Sequence, residues 1–515
     1  PGDSLTTGSR NIAIGLNSLG AEDTGSDNVA IGHGALQNAN YDGSAYNVAI
    51  GRSAGNDITT GIRNTLIGGL TGDSITTGEG NIAIGYHVLR NVTNSSGNVA
   101  IGQLALSALT VGGTTYNVVI GHNAGMSMTT GIENTLIGGQ AGDALTVGDR
   151  NVAVGKGALS TETEGDRNVA VGFNALSTQN NTSNADTYNT AVGYEAGKSI
   201  TTAVRNTFIG SLSGDATTTG GDNVALGYNA LTSNTIGNSN VAIGKDAMLT
   251  NVAADRNVAV GLGALQNMTQ ATTSDTHNVA VGYAAGQNVT SGLFNNLIGG
   301  HAGLAITTGT RNVAIGYDAL KSEDTGSHNV AIGHAALRDA DAGADAYNVA
   351  IGSSAGLSVT TGINNVIVGS LAGDALTNAD FNVALGRSAL SADTLGSRTV
   401  AIGTQALESQ NFTTATNSYN VAVGLNAGTS VTTGIQNTLI GGLCGDAITA
   451  GETNVAVGYG ALLDNTTGNY NVAVGYLALE ENTTSSSNVA VGGFALENNT
   501  ADNNTGIGYA ALRAN

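Results

Sequence analysis

Proline, tryptophan and cysteine are almost missing from this sequence. Among 515 residues there are 77 Gly but only 1 Pro, no Trp and 1 Cys. Abundant Gly without Pro excludes a collagen-like chain and a Pro-rich disordered tract. A lone cysteine, Cys444, excludes a disulfide framework. Other repeats carry a small residue at its position, which predicts a buried side chain there. Because aromatic residues make up only 4%, burial must come from many small, similar layers.

Positive charge is also scarce. The chain has 17 Lys and Arg against 38 Asp and Glu, a formal net charge of −21. This balance argues against nucleic acid or an anionic membrane as a partner. The sequence has no apolar run of transmembrane length and no signal-peptide pattern. It begins with Pro1, inside a repeat, and we therefore interpret it as a processed chain or a part of something longer.

One repeated pentapeptide fills the chain. It consists of Asn, then two variable residues, then Ile, Val or Leu, and finally Gly, as in Asn47–Gly51. It occurs 29 times, and every copy except the one at Thr399 begins with Asn. Successive copies are 17 residues apart in 21 of 28 gaps, and longer gaps recur about every fourth copy. The resulting super-repeat is 70 to 72 residues long. This pattern predicts one continuous repeat array over residues 1–515, without domain boundaries.

The pentapeptide predicts a short β-strand that ends at a corner. Val-Ala-Ile alternates with a period of two and consists mainly of strand-favouring residues. Gly supplies a corner conformation that other residues resist, and stacked Asn side chains predict an amide ladder. A period of 17 residues is too short for paired helices. We therefore expect an all-β fold, a parallel β-solenoid of about 29 coils.

Side-chain alternation along the strand suggests which residues form the core. We expect Val48 and Ile50 to point inward. One further core position is predicted to be filled by different residues in different copies. Leu89 fills it in one copy, whereas other copies have a Gly at that place, such as Gly55. In those copies Ile58, three residues later, is expected to recover the lost volume, as close packing requires.

On this assignment the middle residue of the strand points outward. It is Ala in 21 copies and large in seven. The large ones would form an apolar stripe that requires a partner surface, most simply the same stripe on identical chains. The alternative is that the second segment of the coil covers this face. The seven candidate inter-chain residues are Leu66, Val119, Leu136, Phe208, Leu297, Ile367 and Leu439.

The longer gaps predict loops that project in a row from one edge of the solenoid. Varied loops on a regular scaffold are typical of binding sites. The six predicted loops are Gln37–Tyr46, Ser107–Tyr116, Ser177–Tyr188, Gln266–His277, Arg338–Tyr347 and Glu408–Tyr419. The candidate surface-contact residues are their final aromatic or histidine residues, Tyr46, Tyr116, Tyr188, His277, Tyr347 and Tyr419.

The sequence offers no convergent set of catalytic groups, and we predict that the chain is not an enzyme and needs no cofactor. Its seven His residues are dispersed, without a pair at metal-ligand spacing. Coils that resemble Asn64–Gly80 are called second-type coils, and in five of the six an Asp follows Gly. Solvated surface carboxylates are the favoured interpretation and isolated calcium sites the alternative. These residues are Asp73, Asp143, Asp215, Asp374 and Asp446. Thr-Thr-Gly steps such as Thr59–Gly61 suggest an ice-binding solenoid as a minor alternative.

The Asn-Val-Ala-Ile-Gly strand followed by Ala-Leu or Ser-Ala resembles the YadA-like head repeat of trimeric autotransporter adhesins. It also looks like repeats of phage tail fibres and other trimeric bacterial surface fibres. The resemblance extends from Asn11 to Gly508, although the period here is longer than in the typical adhesin head. It implies a left-handed parallel β-roll, three chains around one axis, and an adhesive or shaft role.

Two classes of function remain open. The first is a non-enzymatic extracellular fibre or adhesin on a bacterial surface or a virion, whose loops contact a cell-surface protein or glycan. The second is a purely structural shaft or self-assembling filament. In both, the partner that we expect first is the chain itself, as a homotrimer or filament. Neither nucleic acid nor membrane insertion is expected.

Overall fold

The computed structural model describes residues 1–514 and shows a parallel β-solenoid. Each pentapeptide forms a three-residue strand that pairs in parallel with the equivalent strand one period away, as in Val48 with Thr65 and Ala49 with Leu66. The solenoid has about 29 turns with a period of 17 residues, and residues 1–514 contain no helix. We use "turn" for the residues from one pentapeptide to the next. The predicted fold class is confirmed.

The chain divides into two compact units, each a parallel solenoid. Unit 1 comprises Pro1–Asp255 and Ala271–Ser274, and unit 2 comprises Arg256–Gln270 and Asp275–Asn515. The pentapeptide strands of unit 1 are Ile12–Ile14, Val29–Ile31, Val48–Ile50, Thr65–Ile67, Ile82–Ile84, Val99–Ile101, Val118–Ile120, Thr135–Ile137, Val152–Val154, Val169–Val171, Thr190–Val192, Thr207–Ile209, Val224–Leu226 and Val241–Ile243. Those of unit 2 are Val258–Val260, Val279–Val281, Asn296–Ile298, Val313–Ile315, Val330–Ile332, Val349–Ile351, Val366–Val368, Val383–Leu385, Val400–Ile402, Val421–Val423, Thr438–Ile440, Val455–Val457, Val472–Val474, Val489–Val491 and Thr505–Ile507.

The remainder of each turn consists of bends rather than a second regular strand. Its backbone still bonds from turn to turn, since the Thr59 amide donates to the Thr76 carbonyl at 2.9 Å. Two-residue strands occur only around the long loops among the residues described. They are Ser95–Ser96, Gly113–Thr114, Ala254–Asp255, Ser274–Asp275, Gly396–Ser397 and Thr416–Asn417.

Gly ends each strand because the next turn approaches its backbone closely. At Gly51 φ is +138°, and an added Cβ would lie 2.3 Å from the carbonyl oxygen of Gly68. No side chain fits there, so the predicted corner role is confirmed. The residue before each Asn also has positive φ, as at Tyr46 with φ 54°. This second left-handed position accepts large side chains because it lies at the surface.

The Asn residues form the predicted ladder. From Asn28 to Asn488 each is buried, and its side chain bonds in two directions. Asn64 Oδ1 accepts the backbone N–H of Asn81 at 3.0 Å, while Asn64 Nδ2 donates to the carbonyl of Gly78 at 2.9 Å. At the exceptional Thr399, the hydroxyl instead bonds to the hydroxyl of Ser418 at 2.6 Å. The ladder therefore satisfies buried backbone groups at every corner.

The inward set predicted from the strand is wrong. Ala49 is fully buried, whereas Val48 and Ile50 on either side are only partly buried. The middle residue of the strand therefore points into the solenoid, and the first and third point out. All seven candidate inter-chain residues are consequently core residues with no exposed surface: Leu66, Val119, Leu136, Phe208, Leu297, Ile367 and Leu439. A side chain buried within its own chain is not available for contact with another.

Large middle residues fill space that Gly leaves inside the solenoid. An added Cβ on Gly55 would lie 2.8 Å from Leu66 Cδ1, and one on Gly72 would lie 3.1 Å from Leu66 Cδ2. The predicted exchange of core volume is otherwise confirmed, because Leu89 and Ile58 are fully buried. The same layer buries Cys444, in agreement with the sequence, and burial raises the pKa of its thiol to about 12.

Candidate interaction surfaces

The outer side of the strands is an apolar surface that recurs in successive turns of each unit. From Tyr46 to Arg52, exposure alternates: Tyr46 and Arg52 are exposed, Val48 and Ile50 are partly buried, and Asn47 is buried. Side chains of strand residues one and three therefore share one side, and the residues before Asn and after Gly border it. We call this four-row surface the sheet face. Its two central rows are aliphatic, and its borders are the pre-Asn row and the post-Gly row.

Tyrosine is concentrated in the two border rows. Of 15 Tyr, eight lie in the post-Gly row and six in the pre-Asn row. Several stack on the next ring in the same row, as Tyr459 does on Tyr476 with centroids 5.8 Å apart. Both side chains remain 51% exposed. Tyrosine combines a large apolar area with a polar tip, which makes it typical of interfaces.

The sheet face is also the positively charged part of an acidic chain. Its borders contain 12 of the 17 Lys and Arg but only three acids, Asp27, Glu133 and Asp222. The whole chain has a net charge of −21, so the other surfaces carry nearly all the negative charge. Five of the eight pre-Asn arginines pair with an acid of their own chain, as Arg205 does with Asp222 at 2.6 Å. Such exposed pairs contribute little to stability.

The long loops are clamped to the preceding turn. Single parallel bridges join Ser26 to Ser44, Asp166 to Asp186 and Ser327 to Asp345. Short strand pairs perform the same task for two other loops, Ser95–Ser96 with Gly113–Thr114 and Gly396–Ser397 with Thr416–Asn417. The strands on either side of a long turn stay in register, as Val169 with Thr190 shows. The long loops are thus hydrogen-bonded parts of the solenoid.

Buried carboxylates anchor four of the loops. Glu162 is fully buried, and its Oε1 accepts the loop amide of Asn181 at 3.1 Å while its Oε2 accepts from Gln179 Nε2 at 2.8 Å. Asp393 accepts the Phe412 amide at 3.2 Å and Gln410 Nε2 at 2.7 Å. Glu22 and Glu323 have the same position in their turns. Burial raises the pKa of Glu22, Glu323 and Asp393. Sequence reasoning missed these four residues, although an acid three residues before Gly marks each of them.

The predicted surface-contact residues are exposed, and they lie in the pre-Asn border row. Tyr46 is 58% exposed and Tyr116 is 64% exposed; Tyr188, Tyr347 and Tyr419 are similar, and His277 is also exposed. Two of the rings contact the preceding turn: the Arg167 guanidinium lies 5.7 Å from the Tyr188 centroid, and Tyr347 stacks on His328 with centroids 4.8 Å apart. These residues therefore border both the loops and the sheet face.

The recurring Gly-Asp carboxylates are less solvated than the sequence predicted. In Asp73, Asp143, Asp215 and Asp374, Oδ1 is buried without a hydrogen-bond partner. Desolvation raises the pKa of each, and of Asp446 as well. The part of the chain that the structure describes contains no group of three or more His, Cys, Asp or Glu able to hold a metal ion.

A row of Thr hydroxyls bonds from turn to turn. Thr59 Oγ1 donates to the Thr76 carbonyl at 3.3 Å, and Thr76 Oγ1 donates to Thr93 at 3.0 Å. Thr93 continues this row into the turn that begins at Asn81. Each of these hydroxyl protons is used within the chain. At these residues water therefore contacts hydroxyl oxygens that can only accept, because the hydroxyl protons are already donated within the chain.

The fold and these surfaces define a β-solenoid repeat protein with an apolar and aromatic face in each unit. Comparison with protein-family models gives no match, and comparison with curated proteins gives no significant relative. Residues 1–514 contain no helix that is long and apolar enough to cross a membrane.

Proposed function

We propose that this chain is a segment of a non-enzymatic extracellular fibre, on a bacterial surface or a virion, whose loops bind a cell-surface protein or glycan. The observation that supports this proposal is the arrangement of the six long loops. They follow the same point of the turn and are clamped to the turn before, as Ser26 is bridged to Ser44. A buried carboxylate such as Glu162 fixes the loop backbone further. Such ordering reduces the entropy that a binding loop loses on contact.

The proposal includes self-association through the sheet face, in place of the seven residues predicted from sequence. Its aliphatic rows keep exposed surface, since Ile82 is 40% and Leu226 is 42% exposed. A standard stable interface buries roughly 800 Å² per partner, and the sheet face repeats such exposed aliphatic surface from turn to turn. The resemblance to trimeric adhesin heads supports three chains, each a left-handed coil, around one axis.

Loop removal tests the binding role. Deleting Thr182–Ala185 shortens the turn that begins at Asn168 from 21 to 17 residues, and equivalent deletions shorten the other five long turns. The variant is compared with wild type on glycan arrays and on intact cells. A control with Thr60→Ser and Thr433→Ser changes exposed residues away from the loops.

We expect loss of binding in the loop variant and unchanged binding in the control, with the solenoid retained by circular dichroism. Unchanged binding by a folded loop-less chain would contradict the adhesive role. The structural shaft would then be the better account, since a shaft requires the sheet face but not the loops.

A further inference from the structure

We propose that two grooves at the bases of long loops bind segments of neutral glycan chains through hydrogen bonds to the sugar hydroxyls. This inference rests on the proposed adhesive role. It narrows the ligand of that role from a cell-surface protein or glycan to an uncharged carbohydrate, and it places the contact at two of the six loops.

The larger groove lies in unit 2, where the loop Glu408–Tyr419 begins. Its volume is about 590 Å³, within the roughly 300–1,000 Å³ of ligand pockets. It crosses four successive turns, and the first residues of the loop form part of its wall. We call it the unit 2 groove. Its polar lining includes Asp374, Ser388, Ser391, Glu408, Ser409 and Asn411.

A second groove lies in unit 1, where the loop Gln37–Tyr46 begins. Its volume is about 380 Å³, and we call it the unit 1 groove. It occupies a corresponding place in the repeat, because Asn38 and Ser409 each lie ten residues after the first residue of their pentapeptide. Its polar lining includes Asp3, Ser4, Asn17, Gln37 and Asn38. Each compact unit therefore has such a groove at the start of one long loop.

Short side chains in the turn before the loop open each groove. They are Gly20–Ala21 in unit 1 and Ser391–Ala392 in unit 2. A depression forms where one layer of a close-packed surface lacks the side-chain volume of its neighbours. At the loop Arg338–Tyr347, in contrast, the turn before carries Lys321 at this place. The two grooves thus follow from local sequence and are not a general property of the long turns.

Carboxylates without a neighbouring cation make the unit 2 groove unfavourable for anions. Asp374 Oδ1 has no hydrogen-bond partner within the described residues. Glu408 is held by Gln405, whose Nε2 donates to Oε2 at 2.8 Å. None of the described residues that line either groove is Lys, Arg or His. Sialylated and sulfated sugars are therefore repelled.

The remaining polar groups favour a hydroxyl ligand over an ammonium ion. Carboxylates only accept hydrogen bonds, whereas Ser hydroxyls and Asn and Gln amides both donate and accept. Within residues 1–514 the hydroxyls of Ser391 and Ser409 form no hydrogen bond. An ammonium group offers no acceptor to these donors. A sugar hydroxyl can donate to Asp374 and accept from a serine, and the amides of Asn17 and Asn38 offer both functions in the unit 1 groove.

The test fills both grooves in the full-length chain. Asn38→Trp with Ser409→Trp places a bulky ring in each groove, at positions that are exposed and half-buried. The control, Ser233→Trp with Ser322→Trp, places the same ring at the same point of turns that line neither groove, at half-buried and exposed positions. A milder variant, Asn38→Ala with Asp374→Asn and Ser409→Ala, removes hydrogen-bonding groups without adding bulk.

The probes are neutral oligosaccharides, their sialylated and sulfated forms, and an oligolysine peptide on one array. We expect wild type and control to bind the neutral oligosaccharides in preference to the charged probes. The filled variant should lose this binding, with the solenoid retained by circular dichroism. The milder variant should bind roughly tenfold more weakly, because it lacks hydrogen bonds that include one to a charged group.

Loss of neutral-glycan binding in the filled variant alone supports the inference. Wild-type binding by a folded filled variant, or equal loss in the control, would overturn it and leave the adhesive role standing. Binding of wild type only to the charged probes, or to intact cells but to no array probe, would do the same. If wild type binds neither the array nor cells, the adhesive role itself fails, and the inference fails with it.

Discussion

Leu66 occupies the space that Gly55 leaves empty in the preceding turn. A Cβ on Gly55 would lie 2.8 Å from Leu66 Cδ1, so the two residues exclude any larger pair. Interiors pack at nearly crystalline density, and volume removed at one position must be restored nearby. The bulky middle residues of the second-type turns are explained by this exchange rather than by contact with another chain.

Replacing Leu66 tests this assignment. Because Leu66 is fully buried, Leu66→Ala should lower the free energy of unfolding by about 2–5 kcal/mol. The matched control is Leu371→Ala, at a Leu that is 42% exposed and lies outside the sheet face. Urea denaturation with hydrogen exchange around Thr65–Ile67 measures the effect. Equal, small losses in both variants would show that Leu66 is not a core residue.

Two glycines with positive φ allow the effect of tight packing on stability to be distinguished from the effect of backbone strain. At Gly72 φ is +56° and an added Cβ would lie 2.8 Å from Ile75 Cδ1, whereas at Gly80 φ is +65° with nothing within 4 Å. Gly80→Ala should cost about 1 kcal/mol from the left-handed conformation alone. We expect Gly72→Ala to cost clearly more, because overpacking adds about 1–3 kcal/mol. Similar losses at both sites, measured by urea denaturation, would contradict tight packing at Gly72.

The Asn ladder should be sensitive to single truncations. Asn64→Ala removes the acceptor of the Asn81 amide (3.0 Å) and the donor to the Gly78 carbonyl (2.9 Å). Each buried group left unpaired costs about 1–3 kcal/mol. Faster hydrogen exchange at Asn81 is therefore expected, together with a lower urea midpoint. Asn94→Ala, at an exposed Asn, is the control, and equal behaviour of the two variants would argue against the ladder.

Asp393 should give the unfolding free energy a distinctive pH dependence. Burial raises its pKa above the ordinary value of 3.8. Between that value and the raised one, the folded chain binds more protons than the unfolded chain. The contribution of this carboxyl to stability is therefore full below pH 3.8 and is lost as the pH rises through the folded pKa. The stability of wild type relative to Asp393→Asn should fall with rising pH over this window. A relative stability that rises instead, in denaturation at several pH values, would mean that hydrogen bonds to the carboxylate outweigh its burial.

The repeat itself predicted the fold, because its period, its Asn and its Gly have one structural explanation each. The repeat did not determine which side chains of the strand point inward. Val48, Ala49 and Ile50 are all apolar, and Ala suits either a tight interior or an exposed surface, so alternation alone did not fix which side is inside. The decisive signal was present: large middle residues such as Leu66 occur where two successive turns carry Gly at the same place, Gly55 and Gly72.

The interaction surfaces could be recognised only after the strand had been oriented. Once Val48 points outward, Tyr46 and Arg52 border the same side, and the arginine and tyrosine rows become the borders of one face. The loop positions needed no such step, because extra residues in a fixed period mark them directly. The carboxylate anchors were missed because a buried acid such as Glu162 has its partners in the following turn.

The central claim, that the sheet face joins copies of this chain, is tested most directly by the mass of the protein in solution. Light scattering coupled to size-exclusion chromatography measures it at several concentrations. The account predicts a trimer, with three times the chain mass of 50.9 kDa. A single species at 50.9 kDa at all concentrations would contradict it.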